Sequence, residues 1–234
     1  MRHIVKGDEP KALRDWKREN RETTHVLTYD NCPKKNEIRL ALLIEQGFLC
    51  AYTMRAIPTP RDAHIEHVRP RWKYREFSIE YANMVACCPG DGIHLDYGAK
   101  LKDRADVNDE VFVSPLHGSC ERRFVYRIDG RVYPADNADV AAKNTIRMLD
   151  LNHRDLVDSR IQQLERFGLY GPRLRRTKAV RWASARQARR AAERALEHDH
   201  DGRLTAFCIA VRQVAERYAC AEEAKARRLT SPNR

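Results

Sequence analysis

An α+β fold is expected, and three observations predict it. Apolar residues recur at helical spacing near both ends of the chain. The middle, residues 48–135, instead alternates short apolar stretches with prolines and glycines. Within it, 124-FVYRIDGRVY-133 has two β-prone runs meeting at Asp129-Gly130, a strong hairpin signal. Residues 8–20 and 36–47 are expected to be helices. In 36-NEIRLALLIEQG-47, Ile38, Leu42 and the Leu43/Ile44 pair recur near helical spacing, and Gly47 is a C-terminal stop. Helical character returns at about residue 138. Ser184 with Gln187 forms a capping-box start for 185–198. A last amphipathic helix is expected over about 204–228, with Leu204, Phe207, Val211, Ala215 and Tyr218 along one side. The expected organisation is an N-terminal helical segment (1–47), a loop-rich β core with its hairpin (48–135) and a basic helical region (136–234). No internal repeat is visible.

Composition narrows the function. A chain of 234 residues with 42% hydrophobic content can bury a core. No apolar run approaches the roughly 20 residues that span a bilayer, so no membrane role is expected. The opening MRHIVKGDEPKALRDW lacks the apolar middle of a signal peptide, which predicts a cytoplasmic protein. Seven cysteines, an odd and irregularly spaced set, argue against a disulfide framework. The net charge is +11, and residues 171–194 hold nine Arg or Lys against the single Glu193. Arg175 and Arg176 lie in that run. Nucleic acid is the polyanion such a patch suits, because neutralising phosphates releases condensed counterions.

The chemistry concentrates in 64-HIEHVRPR-71. If Pro60 to Pro70 holds one short strand, alternation puts His64 and Glu66 on one face and His67 on the other. A glutamate offers hard oxygen to Mg²⁺ or Mn²⁺, and a neutral imidazole takes a proton near pH 7. A cation ligand beside a general base is what phosphodiester hydrolysis needs. Arg69 and Arg71 flank the proline and are candidate phosphate contacts. Further along stand 83-NMVACC-88 and 94-HLDYGAK-100.

This ordered set resembles the HNH, or ββα-metal, nuclease motif. The resemblance implies that Glu66 is a metal ligand, His67 the general base and Asn83 the residue that fixes the loop or the imidazole. Asp96 falls nearest the final metal ligand, with His94 its rival, and Lys100 stands in the place of a phosphate-facing lysine. His64 would orient the metal shell or contact phosphate. Separated blocks extend the likeness: 1-MRHIVKGDEPKAL-13, 45-EQGFLCAYTMRAI-57, 120-CERRFVYRIDGRVYP-134 and 145-TIRMLDLNHRDLVDSR-160. Together they resemble the HNH family associated with retrons and the Septu anti-phage system. That family implies a small ββα-metal core, a catalytic Mg²⁺ or Mn²⁺, a nucleic-acid substrate (DNA first) and a Septu-type ATPase partner.

The likeness has a departure. Family members carry two Cys pairs that clamp a structural Zn²⁺, and here Cys50 and Cys88 remain of the expected four, with Thr53 and Leu95 in the other places. Two thiolates do not close a tetrahedral site, so loss of zinc is expected. Two other readings follow: a nuclease-inactive nucleic-acid-binding or adaptor subunit, and an HNH ribonuclease acting on RNA such as tRNA. His117 and Cys120 invite a thiol–imidazole reading, but no third orienting residue accompanies them. Cys120 is read as part of a turn before the 124–133 hairpin.

Overall fold

The computed structural model describes residues 1–23, 27–102, 107, 108, 110–169 and 184–230. Among them, seven α-helices surround two separate two-stranded antiparallel sheets, a mixed α and β architecture. None of these helices is long and apolar enough to cross a membrane.

Helix α1 (Lys11–Glu19) starts after Pro10, whose missing N–H costs nothing at a helix start, and buries Leu13 and Trp16. Helix α2 (Lys35–Glu45) buries Ile38, Leu42 and Leu43 but leaves Ile44 exposed. Its buried stripe is thus narrower than the apolar run in the sequence. Gly47, at φ +62°, turns the chain out of the helix in the left-handed region that glycine tolerates best.

The first sheet pairs β1 (His64–His67) with β2 (Met84–Cys87), with His64 opposite Cys87 and His67 opposite Met84. All four β2 residues are buried. A strand with one partner leaves an edge of unpaired backbone groups, and here a side chain covers it. Gln46 accepts from the Ala86 N–H at 2.7 Å and donates to the Ala86 carbonyl at 2.8 Å. The Ala51 N–H donates to the same carbonyl at 3.0 Å. This buried amide is therefore satisfied, and it fastens the end of α2 to the sheet that carries the candidate site.

After the one-turn α3 (Ala99–Lys102), the second sheet pairs β3 (Phe124–Tyr126) with β4 (Val132–Pro134) around Gly130, as the Asp-Gly signal predicts. Arg160, fully buried in α5 (Arg154–Arg166), donates to the Gly130 carbonyl at 2.9 Å and the Leu151 carbonyl at 2.7 Å. Both Nη groups of this buried guanidinium thus donate to carbonyls, which offsets much of the cost of its burial. Helix α4 (Val140–Met148) opens on Asp139, which accepts from the Ala142 N–H and pairs with Arg123.

Helix α6 (Ala185–Arg194) has the capping box expected from Ser184 and Gln187. It packs along α7 (Cys208–Thr230) through Ala188, Ala191 and Ala192, leaving Arg186, Arg190 and Arg194 exposed. Helix α7 starts four residues later than the apolar pattern suggests. Leu204 is held outside it, its N–H on the Gly47 carbonyl at 2.9 Å, and Phe207 stands at φ +56°. One continuous buried core reaches from Met1 to Ala219, so the three sequence segments share it.

Candidate active site

Strand β1 is four residues long because both flanks are turns. Pro60–Asp62 forms a 3₁₀ turn capped by Thr59, and the chain turns again at Pro70. Alternation along the strand is as the period-two reading predicts: His64 and Glu66 are partly exposed, while Ile65 and His67 are buried. Residues His64, Glu66 and His67 nevertheless all line one cleft of about 940 Å³, together with Lys100 and Lys102.

The two histidines are fixed differently. His67 Nε2 lies 2.9 Å from the Ser78 carbonyl, which can only accept, so Nε2 carries the proton and Nδ1 the lone pair. The Tyr29 ring meets the imidazole edge-on at 4.8 Å. Burial, with Arg71 and Lys102 nearby, pushes the His67 pKa down to about 4, against the pull of the Ser78 bond. The ring is therefore a neutral acceptor at physiological pH. His64 Nδ1 is 2.6 Å from the Pro89 carbonyl, which by the same logic leaves the lone pair on His64 Nε2. That nitrogen stands 4.0 Å from Glu66 Oε2.

Gly90 makes the His64 anchor possible. A Cβ at this position would lie 1.9 Å from the Arg61 carbonyl oxygen, so only glycine lets the 88–90 turn lie against the 3₁₀ turn. The Gly90→Ala variant is expected to lose about 1–3 kcal/mol of stability from this forced overlap. Its His64 ring should also loosen, measurable as a changed His64 side-chain resonance by NMR. An unchanged melting temperature and resonance would rule out this role.

Asn83 clamps the loop between the strands. Its side chain accepts from the Arg69 N–H at 2.8 Å and donates to the carbonyls of Arg69 (3.0 Å) and Phe77 (3.3 Å). Phe77 precedes Ser78, so Asn83 secures the segment that holds His67. Of the two roles read from the sequence, loop fixation is the one its contacts supply.

The residue that sequence reading missed is Lys102. Its Nζ donates to Glu66 Oε1 at 2.5 Å and to the His67 carbonyl at 2.8 Å, and its side chain is 3% exposed. Helix α3 buries Ala99 and Lys102, one helical step apart, while Lys100 and Leu101 are exposed. The sequence signal was that i, i+3 spacing, too short to register as a periodic pattern. Lys100 does line the cleft, at its exposed side.

Not every candidate converges. Asp96 and His94 are exposed residues of the segment before α3, and neither lines the cleft. Asp91 lines it instead, 3.3 Å from Arg39. Arg71 lines the cleft, paired with Asp30 at 2.8 Å and lying over the Tyr29 ring. Arg69 lines a different pocket, beside Tyr74 and Phe77. Arg175 and Arg176 lie outside the described residues.

Among the described residues, no three His, Cys, Asp or Glu side chains gather to hold a metal ion. The two-donor arrangement of Glu66 Oε2 and His64 Nε2 still fits Mg²⁺ or Mn²⁺. Such ions keep several waters and take one or two protein ligands plus substrate phosphate. Where the resemblance places the zinc cysteines of the family, Cys50 Sγ accepts from the Cys88 N–H at 3.5 Å, and Thr53 Oγ1 lies 3.9 Å from Cys88 Sγ. Three of those four positions, Cys50, Thr53 and Cys88, are thus adjacent, with a hydroxyl at the Thr53 corner. Cys120 is a buried turn residue whose thiol burial pushes up to about 11, unsuited to nucleophilic attack. No protein-family model matches the chain, and no curated protein matches it.

Proposed function

We propose that the chain is a divalent-metal-dependent HNH-type endonuclease that hydrolyses phosphodiester bonds. The observation that carries this reading is the pairing, in one cation-lined cleft, of an anchored neutral imidazole with a carboxylate two residues from a second imidazole. His67 Nδ1 takes the proton of the water that attacks phosphorus, while the Ser78 carbonyl keeps the ring oriented through Nε2. Glu66 Oε2 and His64 Nε2 would hold Mg²⁺ or Mn²⁺, and the ion would supply charge neutralisation at the phosphate oxygens and the leaving group. Asn83 is a positioning residue that acts through the 69–78 loop. Lys100 and Arg71 bind flanking phosphates, and the exposed arginines of α6 extend the basic surface. The likeness to retron- and Septu-associated proteins supports a role in anti-phage defence beside an ATPase.

A second reading is favoured by Lys102. Its ammonium already neutralises Glu66, in the place a catalytic cation would take, which suits a subunit that binds nucleic acid without cleaving it. One comparison separates the two. Purified protein is incubated with plasmid, single-stranded DNA and RNA in Mg²⁺ or Mn²⁺, in chelator, and as the Glu66→Gln variant. The nuclease reading expects metal-dependent cutting that Glu66→Gln reduces at least about 100-fold. Salt-sensitive binding without cutting in any divalent ion, with the ATPase supplied, would overturn it in favour of the adaptor.

A further inference from the structure

Trp72 is the feature of the cleft that the hydrolytic reading does not use. It lines the same cleft as His64, Glu66 and His67, yet the residue is 56% exposed. Among the described residues it makes no stacked-ring or cation–ring contact, unlike its neighbours Arg71 and Lys73, which lie over Tyr29 and Tyr74. An exposed indole on the wall of a cleft offers a face on which a flat ring can stack. The cleft also carries Lys35, Arg39, Arg71, Lys100 and Lys102 against Glu66 and Asp91, so its lining is net positive. The ligand it fits therefore has both negative charge and an accessible flat ring.

Nucleic acid combines the two, and its strandedness follows from the stacking. In a duplex the base faces are stacked on one another and only edges reach the grooves. A single strand offers the faces themselves, and aromatic platforms beside basic grooves are how such strands are held without sequence preference. We infer that the cleft takes single-stranded nucleic acid, with one nucleobase laid on the Trp72 indole and the adjoining phosphates against Lys100 and Arg71. This rests on the hydrolytic reading of the same cleft and names its substrate class. The stacked base would fix the register in which the next phosphodiester meets Glu66 and His67.

The test is a binding comparison with the full chain in chelator, where hydrolysis plays no part. Labelled single strands of thymidine and of uridine, an abasic strand of equal length and a duplex are titrated by fluorescence anisotropy. Wild type should prefer the base-bearing strands over both the abasic strand and the duplex. Trp72→Ala should weaken the base-bearing strands by roughly 5- to 150-fold and leave the abasic strand unchanged, while Trp72→Tyr keeps most of the affinity. Lys100→Ala should weaken all strands alike. Equal loss on abasic and base-bearing strands with Trp72→Ala, no loss at all, or equal affinity for duplex would overturn the inference. Stacking-dependent binding without cutting in any divalent ion, with the ATPase supplied, would leave this inference standing and remove the hydrolytic reading. Cutting that Trp72→Ala does not alter in binding or rate would do the reverse.

Discussion

The His67→Ala variant should lose nucleic-acid cleavage by about 10²- to 10⁴-fold while still binding single strands, because general-base catalysis typically contributes that much. The ring is held by the Ser78 carbonyl and the Tyr29 edge, not by the sheet, so its removal spares the β1–β2 pairing. Stability supplies an independent readout of the same side chain. His67 has its pKa pushed down to about 4 by burial, against an ordinary value of about 6.5. Between those values the unfolded chain binds the proton and the folded chain does not, so wild-type stability falls as pH drops from about 6.5 to about 4 and levels off below. Thermal unfolding in chelator should show that fall in wild type and a smaller one in His67→Ala. Unreduced metal-dependent cutting by the variant would remove the proposed base, and identical pH profiles would show that the imidazole is not held neutral by burial.

How far the sequence reveals this site depends on how local each determinant is. The Asp129-Gly130 hairpin and the Ser184–Gln187 cap were legible because a few adjacent residues decide them. So was the face alternation of His64, Glu66 and His67, since strand geometry fixes it once a strand is assumed. The length of that strand was not, because the 3₁₀ turn capped by Thr59 delays its start and the turn at Pro70 follows its end. Helix α7 begins late for a non-local reason, the Leu204 N–H being taken by Gly47 more than 150 residues away in sequence. Candidate ligands after β2 were placed by counting along the chain, and a loop does not preserve counts. Asp91 therefore reaches the cleft and Asp96 does not. Lys102 lies on a single helical turn, where no periodicity can announce which residue points inward. Burial decides it, and burial is a property of the assembled fold.

Lys102→Met carries the second large effect, on stability and on metal affinity in opposite directions. The Glu66 side chain is 16% exposed, and the ammonium is its closest charge partner, at 2.5 Å. Removing one member of such a pair leaves a carboxylate with little water and no cation, which costs about 3–5 kcal/mol. The His67 carbonyl loses a donor as well. In chelator the variant should therefore melt well below wild type. A divalent ion can restore what the lysine supplied, because Glu66 Oε2 and His64 Nε2 remain 4.0 Å apart with the nitrogen lone pair available. Removing a neighbouring positive charge also lifts the repulsion on an incoming cation, which at a few ångströms is worth several kcal/mol in a medium of intermediate polarity. Mn²⁺ should bind Lys102→Met roughly tenfold or more tighter than wild type and raise its melting temperature with concentration. The charge-matched Glu66→Gln/Lys102→Met double variant should recover much of the lost stability and show no Mn²⁺ response, since both the unpaired charge and the ligand are gone. If Lys102→Met is as stable as wild type in chelator and indifferent to Mn²⁺, Glu66 is not the cation ligand. The ion pair is then only a strut between α3 and β1.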